Sequence, residues 1–171
     1  MATAAELIAR LDLRPLPREG GWYRETYRAS GALPPAVLGP PYAGPRSAGT
    51  AIYYLLTPDT FSALHRLPGD ELFHFYLGDP VDMLQLDPQA GTGRLVTLGS
   101  DLFAGQSPQV VVPGGVWQGS VLRAGGTFAL MGTTMAPGFD FADYEAGERG
   151  QLAAAFPDFA DWIARLSAGP S

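Results

Sequence analysis

The stretch His65-Arg66-Leu67-Pro68-Gly69-Asp70-Glu71-Leu72-Phe73-His74-Phe75-Tyr76-Leu77-Gly78 sets an imidazole six residues before a carboxylate, and that carboxylate seven before a glycine. Residues 71–77 read as a strand, because aromatic and large apolar side chains suit a pleated, half-buried surface. Side chains alternate along a strand. If Glu71 points into the fold, so do Phe73 and Phe75, while His74 points outward to a subunit contact or a covering loop. Asp70 and Glu71 therefore cannot both enter the interior. Glu71 is the one expected there, because it opens an apolar strand that must bury it. A second stretch, 105–118, has the form strand, Pro113-x-Gly115 turn, then the polar residue Gln118 three positions on.

Outward from these two stretches the chain repeats one pattern. Strands are expected at 21–28, 50–56, 71–77, 81–86, 93–98, 109–112, 117–121 and 127–134, spaced by about 8–12 residues as in a sandwich or barrel. No helical stretch of about 10–15 residues separates them, which argues against a parallel α/β sheet. Residues 3–12 read as a short helix, with Thr3 and Glu6 in capping-box spacing and Leu7, Ile8 and Leu11 on one face. Residues 31–49 read as a long loop able to cover a barrel mouth. Residues 148–166 read as a C-terminal helix interrupted near Pro157, with Leu152, Phe156, Phe159, Trp162, Ile163 and Leu166 docking it on the domain or on a partner. The expectation is one all-β domain over residues 1–171.

Composition removes whole classes of chemistry. The 171 residues include no Cys and no Lys. Thiol nucleophiles, Zn–thiolate sites, Schiff bases and P-loops are therefore excluded. Gly91-Thr92-Gly93 lacks the remainder of a dinucleotide fingerprint, and no Ser stands in a Gly-x-Ser-x-Gly elbow. A net charge of −6 with scattered Arg argues against nucleic acid. No apolar run approaches the roughly 18 residues needed to span a bilayer. Glu6, Arg10 and Asp12 break any signal-peptide core, so a cytoplasmic location is expected. The charged fraction of 16% is low against about 25% in typical domains. That predicts surface covered by a second copy, a homodimer.

The first stretch resembles the first cupin motif, H-x-H-x(3,4)-E-x6-G, with His65, Glu71 and Gly78 in register. The second resembles the end of the second cupin motif, P-x-G-x2-H, through Pro113 and Gly115. More strings widen the likeness to nearly the whole chain: Glu19-Gly20-Gly21-Trp22-Tyr23-Arg24-Glu25-Thr26-Tyr27-Arg28, residues 50–56, 62–66 and 136–141. On these the chain is similar to the uncharacterised fifth cupin family (Cupin_5). The resemblance implies an all-β double-stranded β-helix, or jelly roll, usually dimeric and without an established activity. Cupin metal sites generally use two His and the Glu of the first motif and the His of the second. Here Leu67 and Gln118 stand in place of two of those four ligands. His65, Glu71 and Gln118 remain as a reduced set for a divalent metal ion.

The candidate site thus comprises His65 and Glu71 as catalytic groups. Gln118, Phe73, Tyr54, Arg24, Tyr27 and Trp117 are candidates for ligand contact. A buried carboxylate beside a histidine has a tunable pKa, which suits proton transfer. His65 would be the base, Glu71 its acid or orienting partner, and Tyr54 or Tyr27 a further acid. Inward arginines at 24 or 28 would suit an anionic ligand, and surface ion pairing is the equal alternative. Trp117, Tyr53 and Tyr54 serve either a ligand or the core. Phe139, Asp140, Phe141 and Asp143 after Pro137-Gly138 read as a structural corner. Three functions stay open: acid–base catalysis on a small polar or anionic molecule, as in dehydrorhamnose-type epimerases by analogy; a metal-dependent oxygenase or isomerase; and a non-catalytic binding module.

Overall fold

The first ordered unit is helix α1 (Ala4–Arg10), and its start is chemical. Thr3 Oγ1 accepts from the Glu6 amide at 3.3 Å, and the Glu6 carboxylate accepts from the Thr3 amide at 2.8 Å. Leu7, Ile8 and Leu11 then pack against Leu13, Leu55 and Leu130 on the outside of a sheet. Losing this cap in Thr3→Ala should lower stability by about 1 kcal/mol. A urea midpoint indistinguishable from wild type would mean that side-chain docking alone holds α1. The computed structural model describes residues 2–167.

The strands are β1 (Arg14–Pro15), β2 (Trp22–Arg28), β3 (Ala32–Leu33), β4 (Arg46–Ser47), β5 (Thr50–Leu56), β6 (Phe61–Arg66), β7 (Glu71–Gly78), β8 (Val81–Asp87), β9 (Thr92–Leu98), β10 (Gln109–Val112), β11 (Trp117–Leu122), β12 (Ala129–Met135) and β13 (Glu145–Ala146). One sheet runs β1-β2-β5-β12-β7-β10 and the other β13-β6-β11-β8-β9. From β5 to β8, and again from β10 to β12, the chain changes sheet at each step. Every ladder is antiparallel. This is the expected jelly roll, a mostly β fold with one short N-terminal helix and helices at the C-terminal end. The expected strands all form, with ends shifted by at most two residues.

Strand β6 was not among the expected strands. Its sequence, Phe-Ser-Ala-Leu-His-Arg, carries no β-branched residue. It is a strand because β11 and β13 pair with it on either side, a tertiary override of weak local propensity.

Alternation sorts the side chains. Val81 and Met83 of β8 enter the core between the sheets, with Tyr54, Phe73, Leu98 and Met131. Leu84 and Leu86 of the same strand face the other way. There they meet Leu64 of β6, Trp117 of β11, and Leu152, Phe156, Ile163 and Leu166. The last four belong to, or flank, helices α3 (Arg149–Ala155) and α4 (Ala160–Leu166), which are separated at Pro157 by a 3₁₀ turn. The C-terminal helical stretch therefore docks on the domain itself. Segment 31–49 contains β3, β4 and the short helix α2 (Pro35–Leu38). It is pinned by buried Arg46, whose Nε donates to Asp143 at 2.6 Å. No helix among the described residues is long and apolar enough to cross a membrane.

Candidate functional site

Between β1 and β2 the chain turns through Arg18 (φ 70°), Gly20 (φ 97°) and Gly21 (φ 73°). Three left-handed residues in four fold Glu19 back over β6. The Glu19 carbonyl accepts from the Ala63 amide at 2.8 Å, and its carboxylate accepts from Ser62 Oγ at 2.9 Å. Both glycines are also required for space. A Cβ on Gly20 would lie 2.4 Å from the Phe61 carbonyl oxygen, and one on Gly21 would lie 2.8 Å from the Tyr54 ring.

Glu19 is thereby placed beside His65, whose Nε2 lies 3.9 Å from Glu19 Oε2. His65 Nδ1 is 2.7 Å from the Ala63 carbonyl. A carbonyl only accepts, so Nδ1 carries the proton and the Nε2 lone pair faces Glu19. Burial pushes the His65 pKa down, against the opposing pull of Glu71. The imidazole is 1% exposed and neutral. Tyr144 stacks on it at 5.0 Å between centroids, with the Arg18 guanidinium carbon 4.6 Å from the Tyr144 ring.

From the opposite sheet comes Glu71, the first residue of β7. Gln118 Nε2 donates to Glu71 Oε2 at 2.7 Å. Gln118 is also the cross-strand partner of His65. His65, Glu71 and Gln118 thus converge inside the barrel from three strands and two sheets. Burial pushes the Glu71 carboxyl up, and the neighbouring Glu19 charge pushes it further; His65 and hydrogen bonds from Thr133 and Gln118 work against this. Burial pushes Glu19 up to about 7 despite the Ser62 and Tyr54 hydroxyls. The Tyr54 phenol donates to the Gly20 carbonyl at 3.0 Å. Burial first, then the Glu19 charge, drives its pKa well above the usual phenol value.

Glu19 and Glu71 border a cavity of about 440 Å³. Tyr54, Thr133, Leu16, Leu67 and Met135 give it buried walls, with Tyr23 and Ile52 partly buried beside them. Glu25, Arg28, Phe139, Asp140 and Phe141 form its more open end. His65 and Gln118 stand behind the carboxylates and do not reach the cavity wall.

Tyr54 lines the cavity; Phe73 lies in the core between the sheets, away from its wall. Trp117 faces away from the barrel interior, covered by the C-terminal helices and by Arg66, whose guanidinium carbon is 4.5 Å from its ring. The reason is parity: Gln118 points in, so Trp117 points out. Arg24 and Tyr27 also lie outside the cavity. Glu25 pairs with Ile52 and Tyr27 with Ala51, so Thr26 is a bulge residue. The bulge advances the alternation by one and turns Arg28, opposite Thr50, toward the cavity in place of Tyr27. Arg28 is already held there: its Nε and Nη2 donate to the Glu25 carboxylate at 2.9 and 2.7 Å, and Nη2 also to the Phe139 carbonyl at 3.2 Å. Residues 139–141, read as a corner, wall the cavity as well.

Glu19, Ser62 and Thr133 were not anticipated. The available signal for Glu19 was a carboxylate directly before Gly20-Gly21, where a charged side chain is fixed on a turn of unusual backbone.

The donor set does not fit the divalent ion that a cupin fold suggests. Leu67, where a second imidazole would stand, packs with Met135, Tyr144 and Phe139. Gln118 presents N–H, not oxygen, to Glu71. Among the described residues no three His, Cys, Asp or Glu side chains are grouped to hold a metal.

Residues 5–147 match the family described as Cupin superfamily (DUF985). The chain is 34% identical to protein SO0799 from Shewanella oneidensis, with a TM-score of 0.86 over 99% of this chain and 100% of that one. It is 32% identical to a hypothetical protein from Leishmania major, again with a TM-score of 0.86, over 98% of this chain and 100% of that one. Uncharacterized protein YML079W of Saccharomyces cerevisiae is 31% identical over 137 residues, covering 74% of this chain and 67% of the yeast protein. Motifs, fold and relatives agree, and the chain belongs to the DUF985 family of the cupin superfamily.

Proposed function

We propose that this cupin is a metal-independent acid–base catalyst acting on a small polar molecule held in the barrel. Two carboxyl groups from different parts of the chain face one cavity of about 440 Å³, with a neutral imidazole 3.9 Å behind one of them. That juxtaposition is the observation supporting the reading. Near neutral pH, Glu19 at about 7 exists in both forms, the condition in which one group can give and take a proton. The ionised carboxylate of the pair removes a proton from a substrate carbon or hydroxyl. The protonated one returns a proton elsewhere on the molecule, so an isomerisation or epimerisation closes without redox change. His65 acts through Glu19, its lone pair tuning that carboxyl's proton, and Gln118 orients Glu71.

An anionic substrate loses its support, because it rested on inward arginines. Arg24 is outside, and Arg28 is committed to Glu25. The test is deuterium incorporation from D₂O into a panel of small hydroxylated, carbonyl and amino compounds, followed by mass spectrometry. Wild type should label at least one compound. E71Q and E19Q should lower the rate by about a hundredfold or more. H65A should lower it while leaving affinity for that compound intact. A compound that binds in the cavity and is never labelled would reduce the protein to a binding module.

A further inference from the structure

Resting on the reading of this cavity as a ligand site, we infer that its ligand is a small organic cation with an apolar flank, a primary or secondary amine. The charge balance of the lining is one-sided. Glu19, Glu25, Glu71 and Asp140 contribute carboxyls, while Arg28 is the sole guanidinium among the described lining residues. Glu25 already pairs with that guanidinium. At the inner end the nearest imidazole is neutral and offers no compensating charge. Carboxylates withdrawn from water in this way gain from a cation that pairs with them.

Hydrogen-bonding capacity points the same way. The inner end of the wall presents the Glu19 and Glu71 carboxyl oxygens as acceptors, with Gln118 behind them donating to Glu71. A primary ammonium supplies three donors, a secondary one two, and neither an acceptor; a carboxylate or phosphate supplies only acceptors. At the open end Phe139 and Phe141 meet edge to face, with centroids 5.0 Å apart, and border the cavity next to Asp140. Aromatic surface beside a carboxylate attracts an alkylammonium and packs its hydrocarbon.

A matched charge series on the full chain tests this: benzylamine, benzyl alcohol and benzoate, with cyclohexylamine and 1,4-diaminobutane as further amines, measured by calorimetry and thermal shift at neutral pH. At least one amine should bind about tenfold or more tighter than benzyl alcohol, with benzoate weakest. E71Q and D140N should each weaken amine binding by about fivefold or more and leave benzyl alcohol unchanged. D59N, on the turn between β5 and β6, should change neither. E71Q and D140N are near-isosteric, and their melting curves report folding independently. The inference is overturned if benzoate or benzyl alcohol equals the best amine, if neither variant weakens it, or if no amine binds at millimolar concentration. Its failure is separable from that of the acid–base reading. An amine bound but never deuterated sinks the chemistry alone, and labelling of an uncharged polyol with no amine binding sinks the cation alone.

Discussion

Gly20→Ala is expected to cost about 4 kcal/mol of stability and to carry Glu19 out of the cavity. Two independent costs combine. A non-glycine residue held at φ 97° costs about 1–3 kcal/mol. The new methyl would also lie 2.4 Å from the Phe61 carbonyl oxygen, a backbone atom fixed in β6 that cannot rotate away. Overpacking of this kind costs about 1–3 kcal/mol. The turn's anchors lie on both sides of the substitution: Gly20 N–H donates to the Leu16 carbonyl at 3.1 Å, and the Gly20 carbonyl accepts from Tyr54. Relief of the clash must break one of them or shift Glu19 from Ser62 and His65. Urea denaturation of Gly20→Ala beside Gly31→Ala, where an added Cβ meets nothing within 4 Å, separates the local cost from a generic glycine effect. A midpoint for Gly20→Ala equal to that of Gly31→Ala would remove the argument that this turn is what places Glu19.

Glu19→Gln is expected to stabilise the protein, and only above mildly acidic pH. A carboxyl raised from its ordinary 4.5 to about 7 by burial binds its proton more tightly folded than unfolded. Its favourable contribution is full below about pH 4.5 and is lost as pH rises through about 7. The corresponding free energy is about 3 kcal/mol at most, and a side chain still 13% exposed should realise about 2 kcal/mol of it. Gln carries no such loss and keeps an oxygen for Ser62. The variant and wild type should therefore match near pH 4 and diverge by about 2 kcal/mol near pH 8. His65 runs the opposite way. Its pKa is lowered by burial, so the folded state loses stability as pH falls below the ordinary histidine range. That contribution is common to both proteins and largely cancels in their difference. Denaturation of both at acidic, neutral and alkaline pH checks the sign; a Glu19→Gln protein less stable than wild type at pH 8 would show that the ionised carboxylate is net stabilising where it sits.

The sequence by itself determined eight of the strands, their alternation and the family; β6 it did not. Glu71 and Phe73 on one face of β7, with His74 on the other bonded to Thr134 at 2.9 Å, follow from a period of two acting over a few residues. The capping box of α1 is equally local, as is the break at Pro157 between α3 and α4. In the motif register, His65 and Glu71 stand only six residues apart, and that spacing was visible along the chain.

What only the tertiary structure decided depends on residues far apart in sequence. Glu19 matters because Ser62, 43 positions away, bonds it, and no local pattern encodes which distant hydroxyl a turn will meet. Arg28 replaced Tyr27 at the cavity because one bulge residue in β2, defined by its pairing with β5, shifted the alternation. Alternation with Gln118 turns Trp117 outward, and only the tertiary structure shows that helices α3 and α4 cover that face of β11. Periodicity tells which side chains share a face; the contacts closing two sheets over each other tell what that face meets. Here they set two carboxyls on one cavity, with an imidazole behind them.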